Sequence, residues 1–197
     1  DEEFMYPEER KTDNDIFTFS ANKGWNRGMY DRGGIQFLLK AFSEEFKKDE
    51  PVQLKIKINP VYNHPGWDLK SEVENIVPDP KSCANIFITF DAINDDGLRN
   101  FYNEGDVFVT TSMAEAFNLP CLEAMACGKP VITTCFGGMT DYVNHRNGWV
   151  ISKGSYECYS NDPLYKGIKW FKPDISAIRR VLRDVYLSGK ADAKRKG

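Results

Sequence analysis

The chain has 197 residues, of which 41% are hydrophobic and 28% charged, and its formal net charge is −3. This composition is ordinary for a globular protein with one well-buried domain or two small ones. The slightly acidic balance argues against a nucleic-acid-binding surface. No apolar run approaches the ~20 residues that a membrane-spanning helix needs. We therefore expect no nucleic-acid partner and no transmembrane segment.

The cysteines and histidines give little sign of a disulfide framework or a metal site. The five cysteines are odd in number and include no Cys-x-x-Cys pair, and three of them lie in apolar patterns between residues 121 and 135. A free thiol in such a pattern behaves as a small hydrophobic group. The two histidines, His64 and His145, are far apart, so no zinc spacing exists. Since the start of the chain also lacks a signal-peptide pattern, we expect a reducing, cytoplasmic setting.

Short apolar runs alternate with helical patterns along the chain. Strands are predicted at 16–19, with its end at Ser20, and at 52–58, 85–90, 107–110, 131–134 and 148–151. Helices are predicted from Ile35 to Phe46, from Asp95 or Asp96 to Tyr102, over 120–126, and from Asp174 or Ser176 to Tyr186, while 68–84 is ambiguous. Strands that alternate with helices form right-handed crossovers in a parallel sheet. The expected fold class is therefore α/β, with a Rossmann-like parallel sheet of about six strands and helices on both faces.

The expected organisation is one domain between two terminal segments. Residues 1–15 are polar and acidic and form a lead-in segment, residues 16–189 form the domain, and residues 190–197 form a basic tail. Chain ends of this kind are usually solvated and frayed.

Residues 106–143 contain a strand, a helix, a second strand and a glycine pair. Ligands of open parallel sheets bind beyond the carboxyl ends of the strands. Asn118 is expected to cap the helix, and Pro120 suits a first turn because its missing N–H is not needed there. The free N–H groups at such a helix start suit a phosphate.

Two glutamates and two glycines stand at the ends of these elements. Glu115 precedes the helix and Glu123 lies one turn inside it, so their carboxylates are expected over one pocket. Carboxylates accept paired hydrogen bonds from the vicinal hydroxyls of sugars and riboses. Gly137 and Gly138 follow the next strand, where glycine permits a close approach of the backbone to a ligand, a positive φ, or only a turn.

The pattern Glu-x7-Glu, followed by Ala-Met-Ala-Cys-Gly-Lys-Pro-Val-Ile and then Gly-Gly, resembles the sugar-nucleotide site of the retaining glycosyltransferases of family 4, which have the GT-B fold. The resemblance implies that Glu115 contacts hydroxyls of the transferred sugar and that Glu123 holds the ribose. The backbone implied to face the donor sugar and diphosphate belongs to Ala116, Phe117, Asn118 and Leu119. The commoner family sequence is Glu-Gly-Phe-Gly, so Ala116 and Asn118 replace two glycines here.

A departing diphosphate needs cations to stabilise its developing charge. The candidates, in order of preference, are Arg32, Lys23 and Arg27. Family members place an arginine after the first strand and a lysine before the helix. Here Lys23 or Asn22 falls at the first position and Gly33 at the second, and the alternative is that the three cations belong to a mobile surface loop. Phe90 is expected either to line the nucleobase or to pack in the core.

Two acidic motifs outside this stretch have simpler interpretations. Residues 13–15 spell the Asp-x-Asp of metal-dependent transferases, but they precede their strand and so lie at the wrong end of the sheet. Asp141 matches an acidic position of the family, and a helix-capping role explains it equally well. No metal site is predicted.

The resemblance implies the donor-binding, C-terminal half of a GT-B enzyme. Such an enzyme transfers a sugar from a UDP-, GDP- or ADP-linked donor to an acceptor hydroxyl, without an obligatory metal or other cofactor. The acceptor-binding N-terminal domain is missing, so the chain alone is expected to bind nucleotide and to transfer little. The alternative is a non-catalytic nucleotide- or sugar-recognition module with a GT-B-like fold. A sugar-nucleotide epimerase would need histidine and carboxylate groups that cannot be placed, and an NAD-binding domain is disfavoured because Gly-x-Gly-x-x-Gly is missing.

Overall fold

The structure, a computed structural model, describes residues 4–8, 16–25, 31–59, 68–158 and 165–196. Within these residues one parallel sheet has the strands β1 (Phe17–Lys23), β2 (Val52–Ile58), β3 (Asn85–Thr89), β4 (Val107–Thr110), β5 (Val131–Thr134) and β6 (Gly148–Ile151). The helices are α1 (Ile35–Glu45), α2 (Leu69–Ile76), α3 (Asp95–Glu104), α4 (Leu119–Ala126) and α5 (Ile175–Lys196). The predicted fold class is confirmed.

The strand order β3-β2-β1-β4-β5-β6 places the first strand in the middle of the sheet. After β1 the chain builds outward through β2 and β3, and it then returns to the other side of β1 to build β4, β5 and β6. The crossovers leave β1 and β4 in opposite directions, so a crevice opens beyond their carboxyl ends.

Helices cover both faces of the sheet. On one face α1, α2 and α5 pack with the larger cluster of buried residues, whose centre includes Phe19, Phe42 and Phe46. On the other face α3 and α4 pack around Tyr102 and Phe108, whose rings lie 5.7 Å apart. No helix in the described ranges is long and apolar enough to cross a membrane.

The strand β1 is longer than predicted. Its expected end at Ser20 is wrong, because the pairing with β2 continues through Ala21 opposite Ile56 to Lys23 opposite Ile58. Asn22 and Lys23 look like the start of a loop when read alone. The neighbouring strand keeps them extended, and the sheet therefore delivers both side chains to its carboxyl edge.

The alternation of Val, Leu and Ile with Gln53, Lys55 and Lys57 predicts that β2 has one wetter face, and these three residues are indeed more exposed than their apolar neighbours, but two of them are still buried. Gln53 and Lys57 are only 6% and 8% exposed. The Gln53 amide donates to Thr18 Oγ1 at 2.8 Å, and Lys55 forms an ion pair with Glu104 of α3 at 2.8 Å. Helices cover both faces of the sheet, so even the polar face of this inner strand is mostly buried.

The helix ends are partly as predicted. Asp174 caps α5, since its carboxylate accepts from the N–H of Ala177 at 2.9 Å. The α3 cap is Asn94, which accepts from Gly97 N–H at 3.0 Å, and not Asp95 or Asp96, which lie in the first turn. Their carboxylates still lie at the positive end of the helix.

Three further features differ from the sequence expectation. The ambiguous segment 68–84 contains α2, capped by Asp68. The polar, aromatic-rich loop after β6 contains an antiparallel hairpin of β7 (Gly154–Cys158) and β8 (Lys169–Pro173). The backbone of the tail predicted to fray continues α5 to Lys196, past a break at Gly189 with φ 73°.

Part of the predicted lead-in segment packs against the domain. Met5 is 5% exposed and belongs to the smaller buried cluster. Glu8 forms an ion pair with Arg99 of α3 at 2.8 Å, and the Arg99 guanidinium lies 4.4 Å from the ring centre of Tyr6. Residues 4–8 therefore cover the face of the sheet that carries α3 and α4.

We expect Gly34→Ala to destabilise the fold far more than Gly167→Ala, although both glycines have nearly the same φ, 80° and 81°. A Cβ on Gly34 would lie 1.9 Å from the Thr111 carbonyl oxygen, whereas a Cβ on Gly167 would have no atom within 4 Å. Backbone strain alone costs about 1–2 kcal/mol. The clash at Gly34 should bring its total above about 3 kcal/mol.

Urea denaturation of both variants measures the difference in the free energy of unfolding. Equal losses for the two variants would contradict a tight junction between the start of α1 and the end of β4.

Candidate functional site

A cavity of about 600 Å³ lies at the carboxyl edge of the sheet, beside the crevice between β1 and β4. The predicted residues that line it are Lys23, Arg32, Glu115, Leu119 and Glu123. Polar and aromatic residues that the sequence prediction did not assign to the site also line it, namely Asp31, Lys57, Asn59, Tyr165 and Trp170. Glu115 and Glu123, which lie on different elements, thus share one cavity.

Lys23, Arg32 and Glu115 form a charged group at one end of this cavity. The Lys23 ammonium donates to Glu115 Oε2, and these two side chains are only 9% and 15% exposed. Arg32 is 48% exposed and lies 3.6 Å from Glu115 Oε1, while its guanidinium donates to the Ala114 carbonyl at 2.9 Å. The two cations of this group can face an anionic ligand, and the acidic side chain of Asp31 lines the same cavity.

The ionisation of this group follows from its burial and its neighbours. Burial alone raises the pKa of Glu115, but Lys23 and Arg32 outweigh it and the net pKa lies below its ordinary value. Burial lowers the pKa of Lys23, and Glu115 opposes that shift. A buried ion pair is stable only when both partners are held in place, because each unpaired charge would be costly.

Glu123 is oriented by a chain of hydrogen bonds. The Tyr102 hydroxyl donates to Glu123 Oε2 at 2.7 Å and accepts from the Asn22 amide at 2.9 Å. Burial, and then the charge of Glu123, raise the pKa of Tyr102 well above its ordinary value, so the phenol keeps its proton. The Glu123 carboxylate is thereby fixed by one oxygen, and within the described residues its other oxygen has no hydrogen bond.

The loop before α1 and the loop after β4 are joined by hydrogen bonds. Met113 N–H donates to the Arg32 carbonyl at 2.8 Å, and the Thr111 hydroxyl donates to the Gly34 carbonyl at 2.7 Å. Together with the Arg32–Ala114 contact, these bonds set the distance between the basic loop and Glu115. The two loops therefore form one rigid wall of the cavity.

Gly137 and Gly138 do not line the cavity; they support the loop that carries Glu115. A Cβ on Gly137 would lie 2.2 Å from the Glu115 carbonyl oxygen, and one on Gly138 would lie 2.1 Å from the Ala116 carbonyl oxygen. Gly137 also has φ 79°. The close approach that a glycine pair permits is thus made to the protein backbone in this structure.

Asn118 is the N-cap residue of α4, as predicted, but its side chain makes no capping hydrogen bond. Its φ is 64° and its ψ 65°, a left-handed conformation that glycine adopts freely and that asparagine tolerates better than most residues. The side chain is buried and donates to Thr110 Oγ1 at 3.0 Å. Asn118 therefore keeps a glycine-like backbone at a position where the family commonly has glycine.

The other predicted site residues lie at some distance from the cavity wall or outside the described ranges. Phe90 packs against the larger core cluster. Ala116 and Phe117 are exposed beside Leu119, and the Phe117 ring lies 5.7 Å from the Tyr142 ring. Arg27, His64 and residues 13–15 lie outside the described residues. Among the described residues, no group of three or more potential metal ligands converges.

Sequence reasoning missed Lys57 and Tyr102 for different reasons. The alternation in β2 places Lys57 on the wetter face of that strand and does not point to a cavity, although a lysine near the carboxyl end of an inner strand is a signal in a sheet covered on both faces. Tyr102 was counted as part of an amphipathic helix, and its link to Asn22 and Glu123 joins three separate elements. Tyr165 and Trp170, whose rings pack at 5.1 Å, belong to a region that was predicted to be a loop.

We expect Glu115→Gln to lower the free energy of unfolding by about 1–3 kcal/mol at pH 7, because it leaves a buried ammonium without its counter-charge. The native pKa of Glu115 lies below its ordinary value of 4.5. The ionised carboxylate therefore adds stability above that pH, and this contribution is lost as the pH falls through the native pKa. The difference from wild type should accordingly shrink as the pH falls below 4.5.

Urea denaturation at several pH values from 7 to 3 measures this difference. Glu104→Gln is the matched control, because it breaks the more exposed Lys55–Glu104 pair, whose side chains are 30% and 42% exposed. That loss should be below about 0.5 kcal/mol. A penalty for Glu115→Gln that persists unchanged at pH 3 would contradict the role given to the ion pair.

Comparisons with known proteins identify the relatives of this chain. A curated relative, the lipopolysaccharide 1,2-N-acetylglucosaminetransferase of Salmonella typhimurium, is 31% identical over 112 residues, which are 56% of this chain and 29% of that protein. The chain spans less than a third of the length of the curated relatives it matches.

Solved structures show the same fold at low sequence identity. The C-terminal domain of a group 1 glycosyl transferase from Francisella tularensis superimposes with a TM-score of 0.66 at 22% identity, over 100% of this chain and 90% of that one. Anabaena HepE in complex with UDP-glucose superimposes with a TM-score of 0.64 at 17% identity, over 92% of this chain and 42% of that one.

The family model described as glycosyl transferases group 1 matches residues 26–164, which is more than two thirds of the sequence. That match includes β2 to β7 and the cavity wall that carries Arg32, Glu115 and Glu123. The chain belongs to the group 1 glycosyl transferases.

Proposed function

We propose that this chain is the donor-binding domain of a retaining glycosyltransferase of family 4. It binds a nucleoside diphosphate sugar, and the sugar passes to the hydroxyl of an acceptor held by a second domain. The observation that carries this proposal is the convergence of Lys23, Arg32, Glu115 and Glu123 on one cavity at the switch point of the sheet. Among the structural neighbours, HepE is in complex with UDP-glucose and a pneumococcal O-GlcNAc transferase with UDP and GlcNAc.

The two carboxylates have different roles in this proposal. Glu115 accepts hydrogen bonds from hydroxyls of the transferred sugar. It does so with the carboxylate lone pairs that Lys23 and Arg32 do not use. Glu123 accepts from the ribose hydroxyls, and Tyr102 keeps it in position at 2.7 Å. A preorganised acceptor of this kind loses little conformational entropy when a ligand binds.

The cations act on the leaving group. The bond between the anomeric carbon and the diphosphate oxygen breaks while the acceptor oxygen bonds to the same face of that carbon, and the acceptor proton passes to the diphosphate. Arg32 and Lys23 stabilise the negative charge that develops on the diphosphate, so no metal is obligatory. Arg32 lines the cavity and is half-exposed, so its side chain can move to stay in contact with the departing diphosphate.

The recognition module without catalysis is the second candidate, and Gly33 is the observation that favours it. Family members commonly have a lysine at this position. A Cβ on Gly33 would lie 2.8 Å from Asp31 Oδ1 and 3.1 Å from the Gly24 carbonyl oxygen, so a longer side chain would require Asp31 to move. Gly33 leaves one of the two positions at which the family has a cation without one, so the neighbouring Arg32 is the second cation in this proposal.

We expect Glu123→Ala to weaken the binding of UDP or GDP about tenfold, since the ribose hydroxyls lose a charged acceptor. The affinity for inorganic pyrophosphate, which has no ribose, should change little. Isothermal titration calorimetry measures both ligands, and Glu74→Ala, an exposed change on α2, serves as the control. Equal affinity of wild type and Glu123→Ala for the nucleotides would remove the ribose assignment.

We expect a protein that joins this chain to its acceptor-binding domain to give a product with the donor's anomeric configuration, also in the presence of EDTA. Arg32→Ala should lower its kcat about 10²-fold, because a stabilising group at the leaving diphosphate is removed. Proton NMR of the product identifies the configuration, and Arg180→Ala on the exposed side of α5 is the control. Inversion would rule out the retaining mechanism, and binding without transfer would favour the recognition module.

A further inference from the structure

Lys57 is a buried cation in the wall of the cavity that the proposed mechanism does not use. It is the last but one residue of β2, is 8% exposed and lines the cavity. Within the described part of the chain, its ammonium has no hydrogen bond or ion pair. The charge that acts on it is that of Asp91, beyond the end of β3, which opposes the lowering of the Lys57 pKa by burial.

A comparison within the same strand shows that this situation is particular to Lys57. Lys55 lies two residues earlier and therefore on the same face, and it has an ion pair with Glu104 at 2.8 Å. Lys55 does not line the cavity, whereas Lys57 does. A buried ammonium without acceptors is costly, so an acceptor on a ligand in the cavity would stabilise Lys57.

The strand register places Lys57 at one particular end of the cavity. Glu115 follows β4, Lys23 ends β1, and Lys57 lies on β2, so the order across the sheet edge is β4, β1, β2. Two strand spacings, about 10 Å, separate β4 from β2. The Cα of Lys57 pairs with that of Asn22, the residue that begins the hydrogen-bond chain to Glu123.

This order matches the order of parts in a nucleoside diphosphate sugar. With the sugar and diphosphate at Glu115, Lys23 and Arg32, and the ribose at Glu123, the nucleobase lies on the β2 side. Ile93 and Leu98 line the cavity there and offer apolar surface to a base. Lys57 is then the charged group at the edge of the base.

We propose that Lys57 donates a hydrogen bond to a carbonyl oxygen of the donor's nucleobase, and that it selects an oxo base, guanine or uracil, over adenine. The inference rests on the function proposed above. An ammonium has three donors and no acceptor. Guanine and uracil present carbonyl oxygens, whereas adenine presents an amino donor where guanine has its O6.

Isothermal titration calorimetry of this chain with GDP, UDP and ADP tests the proposal. Wild type should bind GDP or UDP about tenfold more tightly than ADP, and Lys57→Met should reduce that preference to nearly one by weakening the oxo-base ligand alone. Lys55→Met, on the same face of the same strand but outside the cavity wall, should leave the preference unchanged.

A ligand-side measurement keeps the test independent of how well the variant folds. IDP has an oxo group at the purine position where ADP has an amino group, so wild type should bind IDP more tightly than ADP. Preference of the wild type for ADP over IDP, or equal affinity, overturns the proposal.

The remaining outcomes separate this inference from the proposed function. If Lys57→Met lowers the affinity for GDP, UDP and ADP by the same factor, the lysine contacts the diphosphate or the ribose, which all three share. That result overturns the base contact. Unchanged affinities in that variant overturn it as well. If the wild type binds no nucleotide or pyrophosphate, the proposed function itself fails, and the base contact fails with it.

Discussion

The ion pair between Lys23 and Glu115 is the contact on which the geometry of the site depends. It joins the last residue of β1 to the loop after β4, across the point where the strand order reverses. A buried pair of opposite charges stabilises a structure only when both partners are held in position, since desolvation opposes the attraction. The pair therefore needs a rigid backbone on both sides, in the segments that carry Lys23 and Glu115.

Two glycine contacts supply that rigidity. Gly34 brings the start of α1 against the Thr111 carbonyl, and Gly137 brings the end of β5 against the Glu115 carbonyl. Each contact allows two loops to approach more closely than any residue with a Cβ would permit. Gly137, for which the sequence predicts either a ligand contact or only a turn, thus acts as a spacer between two loops, as Gly34 does.

Asn118 replaces a glycine of the family pattern but keeps the backbone conformation that glycine commonly adopts. The backbone there is left-handed, which disfavours most residues other than glycine, and asparagine is among those that tolerate it best. Its amide turns inward to Thr110 and Met139 instead of capping the helix. Asparagine is favoured both as a helix cap and at a left-handed backbone position, so the sequence alone does not distinguish the two roles. The φ of Asn118 and the direction of its side chain do.

The sequence by itself determined the alternation of strands and helices, the parallel sheet, and the segment that carries Glu115 and Glu123, because these depend on local periodicity and on residues close together in the chain. The tertiary structure decided the length of β1, the burial of Lys57, the bond from Tyr102 to Glu123 and the antiparallel hairpin of β7 and β8. Each of these depends on a partner far away in the sequence: a neighbouring strand that keeps Asn22 and Lys23 extended, a helix that covers a polar strand face, or a hydroxyl delivered from another element. Local patterns carry no information on which distant group will provide the partner. The sequence therefore predicts the fold, but not the shape and charge of the cavity.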